Sequence, residues 1–472
     1  MVFLSIEFFA FMVFLLCAMY FIRERKKQQI LLLVASYFFY FWNDWRLLVL
    51  MFAETVAVYF VECGMAREQD KGKKKILLTV GVVFLLLILG FFKYFNFFVD
   101  SICTVFQIQN SFNLNIILPL GISFYTFQGL SLLFDVYYGK IEAEKDFVKV
   151  GLCIGFFPQI TSGPIVKARD MLVQLQEARE INWDNIAQGM QILLMGIFKK
   201  KVIADRIAVQ VDAVYSMPRI YSAGSLALAA VAYSIQLYCD FSGYSDMAIG
   251  IGRMIGFDLG RNFNLPYFAK NTPEFWRRWH ISLSTWFRDY VYIPLGGSKK
   301  GKVRTYLNLL ITMILSGLWH GASWCYVLWG ALYGVTNSLY KAYDNWSKPY
   351  REKWEKLPGK AVRAVLATVL NFILVTIIQI FFRAESFTQV GIILKRIFTG
   401  AAGVEYYYVY TIFYGVLLAV IETWKYLKND GNDFYPNVNL KKFRGKLVFC
   451  IMIWVILCFS YVESNDFIYA QF

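Results

Sequence analysis

Two histidines are the side chains of this sequence best suited to acid–base chemistry. They are the only imidazoles among 472 residues: His280 in EFWRRWHISLSTWFRDY and His320 in GLWHGASW. Because an ordinary imidazole titrates near neutrality, its neutral form can take a proton from a hydroxyl group that attacks an acyl carbonyl. Two histidines without a Cys or carboxylate cluster make a poor zinc site, and no GxSxG motif indicates a serine nucleophile. We therefore expect general-base chemistry and no metal.

The composition predicts a polytopic membrane protein. Hydrophobic residues make up 58% of the chain, charged residues 17%, and the mean hydropathy is +0.47, whereas a soluble protein carries more charge on its surface. With broken and tilted segments counted, we expect an all-α bundle of roughly eleven to thirteen transmembrane and re-entrant helices. The apolar stretches are 2–22, 30–48, 49–65, 76–99, 114–134, 186–198, 224–240, 305–320, 322–340, 362–382, 405–424 and 446–462.

The net charge of +15 lies mostly in short loops between these stretches. By the positive-inside rule we expect 23–29 and 66–75 in the cytoplasm, and the N-terminus, the Lys- and Arg-free segment 101–115 and the C-terminal tail outside. Basic residues follow the first apolar stretch, which we therefore expect to be a retained helix rather than a signal peptide. This distribution favours anionic lipid over nucleic acid as the partner of the charge.

The segment around His280 has the periodicity of an amphipathic helix. A helix start is predicted at Thr272, with its hydroxyl as the N-cap, Pro273 at the first helical position and Glu274 near the positive end of the helix dipole. A stripe at helical spacing then predicts one helix at the cytoplasmic interface, with His280 on its buried face. The stripe comprises Trp276, Trp279, His280, Leu283, Phe287 and Tyr290, and a second face carries Arg277, Ser284 and Arg288.

His320 ends the apolar run LNLLITMILSGLW, which begins just beyond the basic loop 298–304. At 1.5 Å per residue, about 15 helical residues carry it roughly 20 Å from that loop, near the bilayer midplane. Gly317 and Gly321 allow a close backbone approach and a helix break. An ionisable residue at such depth indicates a functional site.

Two stretches, 118–140 and 155–170, are interrupted by proline and glycine. Broken backbone at membrane depth must be buried in protein or line a cavity. Their polar residues Gln128, Asp135 and Gln159 either line a pathway or hydrogen-bond neighbouring helices. A transporter or flippase, in which both histidines serve proton-coupled movement, is an alternative from another class, although no inverted repeat is visible.

At these motifs the sequence resembles the membrane-bound O-acyltransferase family, in particular its bacterial alginate and peptidoglycan O-acetyltransferase branch. The resemblance runs essentially end to end and implies a single integral membrane domain, 1–472, around a transmembrane tunnel. It divides into N-terminal helices at 1–110, a core at 114–382 and C-terminal helices with a tail at 405–472. The matching segments are WRRWHISLSTWFRDYVYIPLGG, SGLWHGASWCYVLWGALYG, ASYFFYFW, FKYFNFF, LPLGISFYTFQ, FFPQITSGPI and DFSGYSDMAIG.

The resemblance also implies roles for individual residues. His320 is the expected catalytic base, and His280 supports it on the donor side. The donor is expected to be a cytoplasmic thioester, acetyl-CoA, with no bound cofactor; cationic side chains suit its phosphates. The expected donor-binding residues are Trp276, Arg277, Arg278, Trp279, Lys299 and Lys300, and the expected tunnel-lining residues are Gln128, Asp135, Ser316 and Trp319. Candidate carboxylate partners of the histidines are Asp240, Asp246 and Asp289.

The expected product is an O-acetylated cell-wall or exopolysaccharide glycan outside the bacterial cytoplasmic membrane, completed by an extracytoplasmic partner of the SGNH-hydrolase type. The terminal FIYAQF fits the pattern F-x-Y-x-x-F. In related systems the tyrosine of this pattern, here Tyr469, is thought to carry the acyl group outward; otherwise the segment is an aromatic membrane anchor. D-alanyl transfer to teichoic acid is the alternative within the family, and YIPLGG at 292–297 favours the acetyltransferase branch.

Overall fold

The computed structural model describes residues 3–42, 44–109, 112–161, 163–350, 358–435, 437–461 and 467–468. Within these ranges the protein is built from helices, and the only strand-like feature is one isolated bridge between Tyr221 and Val404. The predicted all-α class is therefore confirmed.

The helices follow the predicted apolar stretches closely. Those of the N-terminal half are α1 Ile6–Phe21, α2 Arg25–Phe41, α3 Trp45–Arg67, α4 Lys71–Leu89, α5 Phe95–Phe106, α6 Ile122–Tyr137, α7 Phe147–Gly155, α8 Phe157–Ile160, α9 Ala168–Gln174, α10 Trp183–Ile197, α11 Asp205–Ser216 and α12 Ala223–Met254. Those that follow are α13 Thr272–Arg278, α14 Ile281–Phe287, α15 Lys302–His320, α16 Trp324–Ser347, α17 Lys360–Arg383, α18 Phe387–Phe398, α19 Val409–Lys428 and α20 Phe443–Phe459.

Three helical stretches of the described chain are long and apolar enough to cross a membrane: Trp45–Arg67, Lys71–Phe106 and Lys360–Arg383. The second joins α4 to α5 through a π-helical turn. Large apolar side chains on these stretches, such as Phe60, Leu87 and Leu370, are exposed, as contact with lipid requires. The protein is thus a membrane protein, and the total of roughly eleven to thirteen spans stays a prediction.

By their contacts the described residues form two compact units. The first lies within Met1–Leu194, Tyr244–Gly260 and Asn437–Phe443, and the second within Met195–Gly243, Arg261–Pro436 and Arg444–Phe472. The expectation of a single domain stays a prediction. Both histidines and the aromatic residues around them belong to the second unit.

In the first unit, the interrupted stretches form one continuous helix and one buried irregular segment. The helix α6 runs unbroken from Ile122 to Tyr137. It begins after Gly121, whose φ of 73° and whose contact with Ile160 leave no room for a side chain, since a Cβ there would lie 2.1 Å from the Ile160 carbonyl oxygen. The non-helical residues 163–167 are also buried, which is the condition for irregular backbone in a membrane protein.

In the second unit, α15 and α16 form a hairpin whose backbones touch. A Cβ on Gly317 would lie 2.2 Å from the Tyr326 carbonyl oxygen, and one on Gly330 would lie 2.3 Å from the Met313 carbonyl oxygen. Only glycine permits this approach. The hairpin brings His320, the last residue of α15, against Trp329 on α16.

Candidate active site

The helix predicted across His280 is broken at the histidine itself, so the expectation of one continuous amphipathic helix was wrong. After α13 ends, Trp279 is extended, and His280 adopts the left-handed conformation, with φ 41° and ψ 55°. A residue with a side chain enters this region at a cost of about 1–3 kcal/mol, which the surroundings must offset. The N-cap of α13 also differs from the prediction: Asn271, not Thr272, accepts the capping bond, from the Glu274 N–H at 2.8 Å.

The predicted stripe is nevertheless buried along its whole length. The buried members are Trp276, Trp279, His280, Leu283, Phe287 and Tyr290. Period-3.6 spacing therefore identified the buried side chains correctly, although two short helices and a kink bury them rather than one helix. The kink changes the direction of the chain at His280.

The amide oxygen of Asn262 contacts both His280 and its neighbour Ser282. The Nδ1 atom lies 3.1 Å from Asn262 Oδ1, which also accepts the Ser282 hydroxyl at 2.9 Å and the Ser282 backbone N–H at 3.3 Å. Because the backbone N–H is a donor, the atom facing it is the amide oxygen, and Nδ1 of His280 must carry a proton to donate. In the neutral ring the lone pair then resides on Nε2.

His280 is fully buried, and burial lowers its pKa to about 3. The residue lies in the segment between α13 and α14, outside the candidate membrane-crossing stretches. Desolvation disfavours the imidazolium. The ring is therefore neutral at physiological pH, and its lowered pKa makes it a weaker base than an ordinary imidazole.

His320 is 1% exposed and is surrounded by aromatic rings. Its ring centroid lies 5.0 Å from those of Trp319 and Trp329 and 5.3 Å from that of Phe382. The centroids of the two histidine rings are 6.4 Å apart. The fold thus brings the two histidine motifs, which are distant in sequence, into one buried site.

A pocket of about 560 Å³ adjoins this site. Two of its lining residues lead to His320: Ser316 precedes it by one helical turn, and Trp276 contacts Trp329 with centroids 5.7 Å apart. The pocket also carries the cationic side chains of Arg277, Arg288 and Lys341 and the carboxylate of Asp344. It combines a cationic rim with an aromatic wall close to the histidines.

The structure assembles only part of the predicted donor set around this pocket. Trp276 and Arg277 line it, as does the predicted tunnel residue Ser316, whereas Arg278, Trp279, Lys299 and Lys300 are not among its lining residues. Arg278 instead pairs with Glu274 at 3.1 Å and donates to the Gly431 carbonyl at 2.8 Å.

Other predicted residues have different surroundings. Gln128 and Asp135 belong to the first unit, where Asp135 forms an ion pair with Lys140 at 3.0 Å. Trp279 packs on Phe263, with centroids 5.1 Å apart.

The carboxylates proposed as histidine partners also have other contacts. Asp240 pairs with Lys200 at 2.6 Å and Asp289 with Arg288 at 2.9 Å, while Asp246 belongs to the first unit.

Sequence reasoning missed three residues of the site. Asn262, the anchor of His280, lies 18 residues before it, with α13 between them, and nothing in its local sequence marks it. Lys341 comes from α16 and was not considered. Arg288 was noted only as part of a polar helix face with Arg277 and Ser284, and the structure places all three on the pocket lining. The shared helix face of these three residues therefore indicated that Arg288 lines the same pocket as Arg277, and the prediction did not use this.

The described part of the C-terminal tail lies near the histidines. The Ile468 N–H donates to Asp240 Oδ2 at 3.0 Å, and Phe467 packs on Phe241 with centroids 6.0 Å apart. Phe241 in turn contacts the His280 ring edge-on at 4.6 Å. Tyr469, the predicted relay residue, lies outside the described residues.

Fold and site together define an integral membrane protein whose two histidines share one buried aromatic site beside a cationic pocket. Within the described chain, no group of three His, Cys, Asp or Glu side chains is arranged to hold a metal. The chain belongs to the membrane-bound O-acyltransferase family. The family description MBOAT, membrane-bound O-acyltransferase, matches residues 154–382, a range that contains both histidines.

Individual relatives agree with this membership. The probable alginate O-acetylase AlgI of Pseudomonas syringae is 40% identical over 358 residues, covering 74% of this chain and 66% of the relative. The peptidoglycan O-acetyltransferase of Helicobacter pylori is 35% identical, covering 75% and 70%. The teichoic acid D-alanyltransferase of Bacillus subtilis is 32% identical, covering 55% and 67%. The chain thus spans about two thirds of the length of these relatives.

Proposed function

We propose that this protein transfers an acetyl group from a cytoplasmic thioester through the membrane, for O-acetylation of an extracytoplasmic cell-wall or exopolysaccharide glycan. His320 is the catalytic base in this proposal. The observation that carries it is the joint burial of the two histidines, with ring centroids 6.4 Å apart, beside a pocket rimmed by cations. Acetylated acceptors are named for the relatives from Pseudomonas syringae and Helicobacter pylori.

The aromatic enclosure suits a base that must start neutral. The rings of Trp319, Trp329 and Phe382 contact the His320 ring and limit access of water to it. In the proposed step, neutral His320 takes the proton of an acceptor hydroxyl as the oxygen attacks the thioester carbonyl. The C–O bond forms, the C–S bond breaks, and the leaving thiolate recovers the proton.

The pocket beside the histidines suits a phosphate-bearing donor. Guanidinium groups of Arg277 and Arg288 and the ammonium group of Lys341 provide charge-assisted donors, which phosphates accept strongly. The indole of Trp276 offers an apolar wall, and Ser316 continues along α15 toward His320. We therefore propose acetyl-CoA as the donor, with its thioester directed toward Ser316.

Acceptance on the outer side is proposed to involve the C-terminal tail. The contacts of Phe467 and Ile468 hold the start of FIYAQF within one side chain of His280. Tyr469 follows directly and is our candidate for the hydroxyl that carries the acetyl group outward. An extracytoplasmic transferase of the SGNH-hydrolase type would then pass it to the glycan.

The test uses the full chain in nanodiscs with acetyl-CoA radiolabelled in the acetyl group. Release of CoA and covalent label on the protein are measured for wild type, His320→Ala and Tyr469→Phe. We expect CoA release and label on Tyr469 in wild type, and neither in His320→Ala. Tyr469→Phe is expected to lose the label.

Two results would decide against parts of the proposal. Unchanged CoA release by His320→Ala would exclude His320 as the base. Turnover with D-alanyl carrier protein but not with acetyl-CoA would favour D-alanyl transfer, the activity named for the Bacillus subtilis relative.

A further inference from the structure

A second cavity, in the first unit, has no part in the proposed transfer chemistry. Its volume is about 610 Å³, and it lies among α3, the start of α4, the end of α6 and the segment after α6. Three cationic side chains line it, those of Arg67, Lys74 and Lys145, against one carboxylate, that of Glu142. We refer to it as the basic cavity.

The three cations of the basic cavity form no ion pair with carboxylates of the described chain. Within the described chain, Arg67, Lys74 and Lys145 make no ion pair, whereas nearby Lys73 pairs with Glu68 and Lys149 with Glu144. The backbone that carries Lys145 is held in place, since the Tyr59 hydroxyl donates to the Lys145 carbonyl at 3.1 Å. Three cations against the one carboxylate of Glu142 leave the cavity with excess positive charge, which a bound anion would offset.

The walls of the basic cavity indicate what kind of anion fits. Apolar and aromatic side chains share the lining with the cations: Tyr59, Met65, Val136, Tyr137 and Ile141. A small inorganic anion makes no apolar contacts with such a lining. A phospholipid can use both parts, because its headgroup is charged and its glycerol and acyl chains are apolar. The volume lies within the range of ligand pockets.

The position of the basic cavity indicates where that ligand comes from. Arg67 is the last residue of α3 and Lys74 stands in the first turn of α4. Both helices belong to stretches that can cross a membrane, so their joined ends mark a membrane surface. The KGKKK cluster at 71–75 places this surface on the cytoplasmic side by the positive-inside rule.

We propose that the basic cavity binds the phosphate headgroup of an anionic phospholipid from this leaflet. The three cations contact the phosphate, and the apolar lining contacts the glycerol and the first acyl carbons. Anionic lipids attract basic side chains at the membrane surface, so a site with three such side chains discriminates against zwitterionic lipid.

The test is native mass spectrometry of the purified full chain, titrated with phosphatidylglycerol or with phosphatidylcholine of the same acyl chains. The test variant is Lys74→Gln with Lys145→Gln. The matched control is Lys71→Gln with Lys75→Gln, which removes the same charge from exposed lysines at the start of α4 that lie outside the cavity lining. The melting temperature of each variant in the same detergent shows whether it is folded.

We expect wild type and control to bind phosphatidylglycerol at least about tenfold more tightly than phosphatidylcholine. The folded test variant should lose most of that preference. Equal losses in test and control variants would overturn the proposal, because the effect would then be surface charge rather than the cavity. Added inorganic phosphate distinguishes the sources: displacement of bound lipid at equal concentration would assign the site to a soluble anion and overturn the lipid assignment.

Discussion

The surroundings of the two histidines are built on different principles. His280 is set by polar contacts, with Asn262 fixing its ring nitrogen and a left-handed backbone turning it inward. His320 is set by packing, with three aromatic rings around it and a glycine-packed helix hairpin behind it. A hydrogen bond therefore sets the tautomer of His280, whereas aromatic packing sets the position of His320 and limits its contact with water. Predictions on each side test whether this division holds.

The largest expected effect belongs to His320. His320→Ala removes the proposed base, and general-base catalysis contributes about 10²–10⁴-fold in rate. We expect CoA release to fall by that factor while KM for the donor changes little, measured in nanodiscs with acetyl-CoA. His320→Gln serves as a control for ring volume and should be equally inactive. An active glutamine variant would mean that the ring fills space rather than takes a proton.

The anchor of His280 should have a smaller effect. Asn262→Ala leaves the His280 ring without the acceptor that fixes its tautomer, and a lost buried hydrogen bond costs about 1–3 kcal/mol. We expect kcat to fall about 10- to 100-fold, measured by the same CoA-release assay. Ser282→Ala, which removes only a second donor to the same oxygen, should stay within about threefold of wild type. Equal losses in both variants would indicate that the loop, and not the tautomer, matters.

The next prediction compares cations that line the pocket with cations that were expected to bind the donor but do not line it. Arg277→Gln with Arg288→Gln should raise KM for acetyl-CoA about tenfold or more, with a smaller effect on kcat, because charge-assisted bonds to phosphate are lost. Lys299→Gln with Lys300→Gln removes the same charge outside the pocket lining and should change KM less than about twofold. The reverse ranking would show that the donor docks at the loop 298–304 instead.

The smallest effect is expected on the packing behind His320. In Gly330→Ala, the new Cβ would meet the Met313 carbonyl oxygen at 2.3 Å, and such overpacking costs about 1–3 kcal/mol. We expect a melting temperature lower by a few degrees, measured in detergent by intrinsic fluorescence. The control Gly391→Ala, in α18 with open space around the new Cβ, should be neutral or slightly stabilising. A melting temperature unchanged by Gly330→Ala would mean that the hairpin adjusts without cost.

Much of this molecule was predictable because the burial of apolar side chains leaves periodic patterns in the sequence. Apolar stretches indicated the all-α class and the approximate helix positions, and the stripe through Trp276 and Tyr290 indicated the buried face, since burial follows side-chain spacing. The family motifs singled out the two histidines. The break at His280 was not predictable in this way, because WRRWHISLS is a good helical pattern and the kink is stabilised by Asn262, 18 residues earlier and beyond α13.

From the sequence alone it follows that the chain lies in a membrane, that it is helical, and that its two imidazoles are the best candidates for its chemistry. The folded structure was needed to show that these imidazoles share one site, that Arg288 and Lys341 rather than Lys299 and Lys300 line the pocket with Arg277, and that Asn262 fixes the ring of His280. The physical reason is the separation along the chain over which each kind of interaction acts. Burial and helix formation are set by neighbours within a few turns, whereas ring contacts, ion pairs and a left-handed backbone depend on side chains brought together from distant helices.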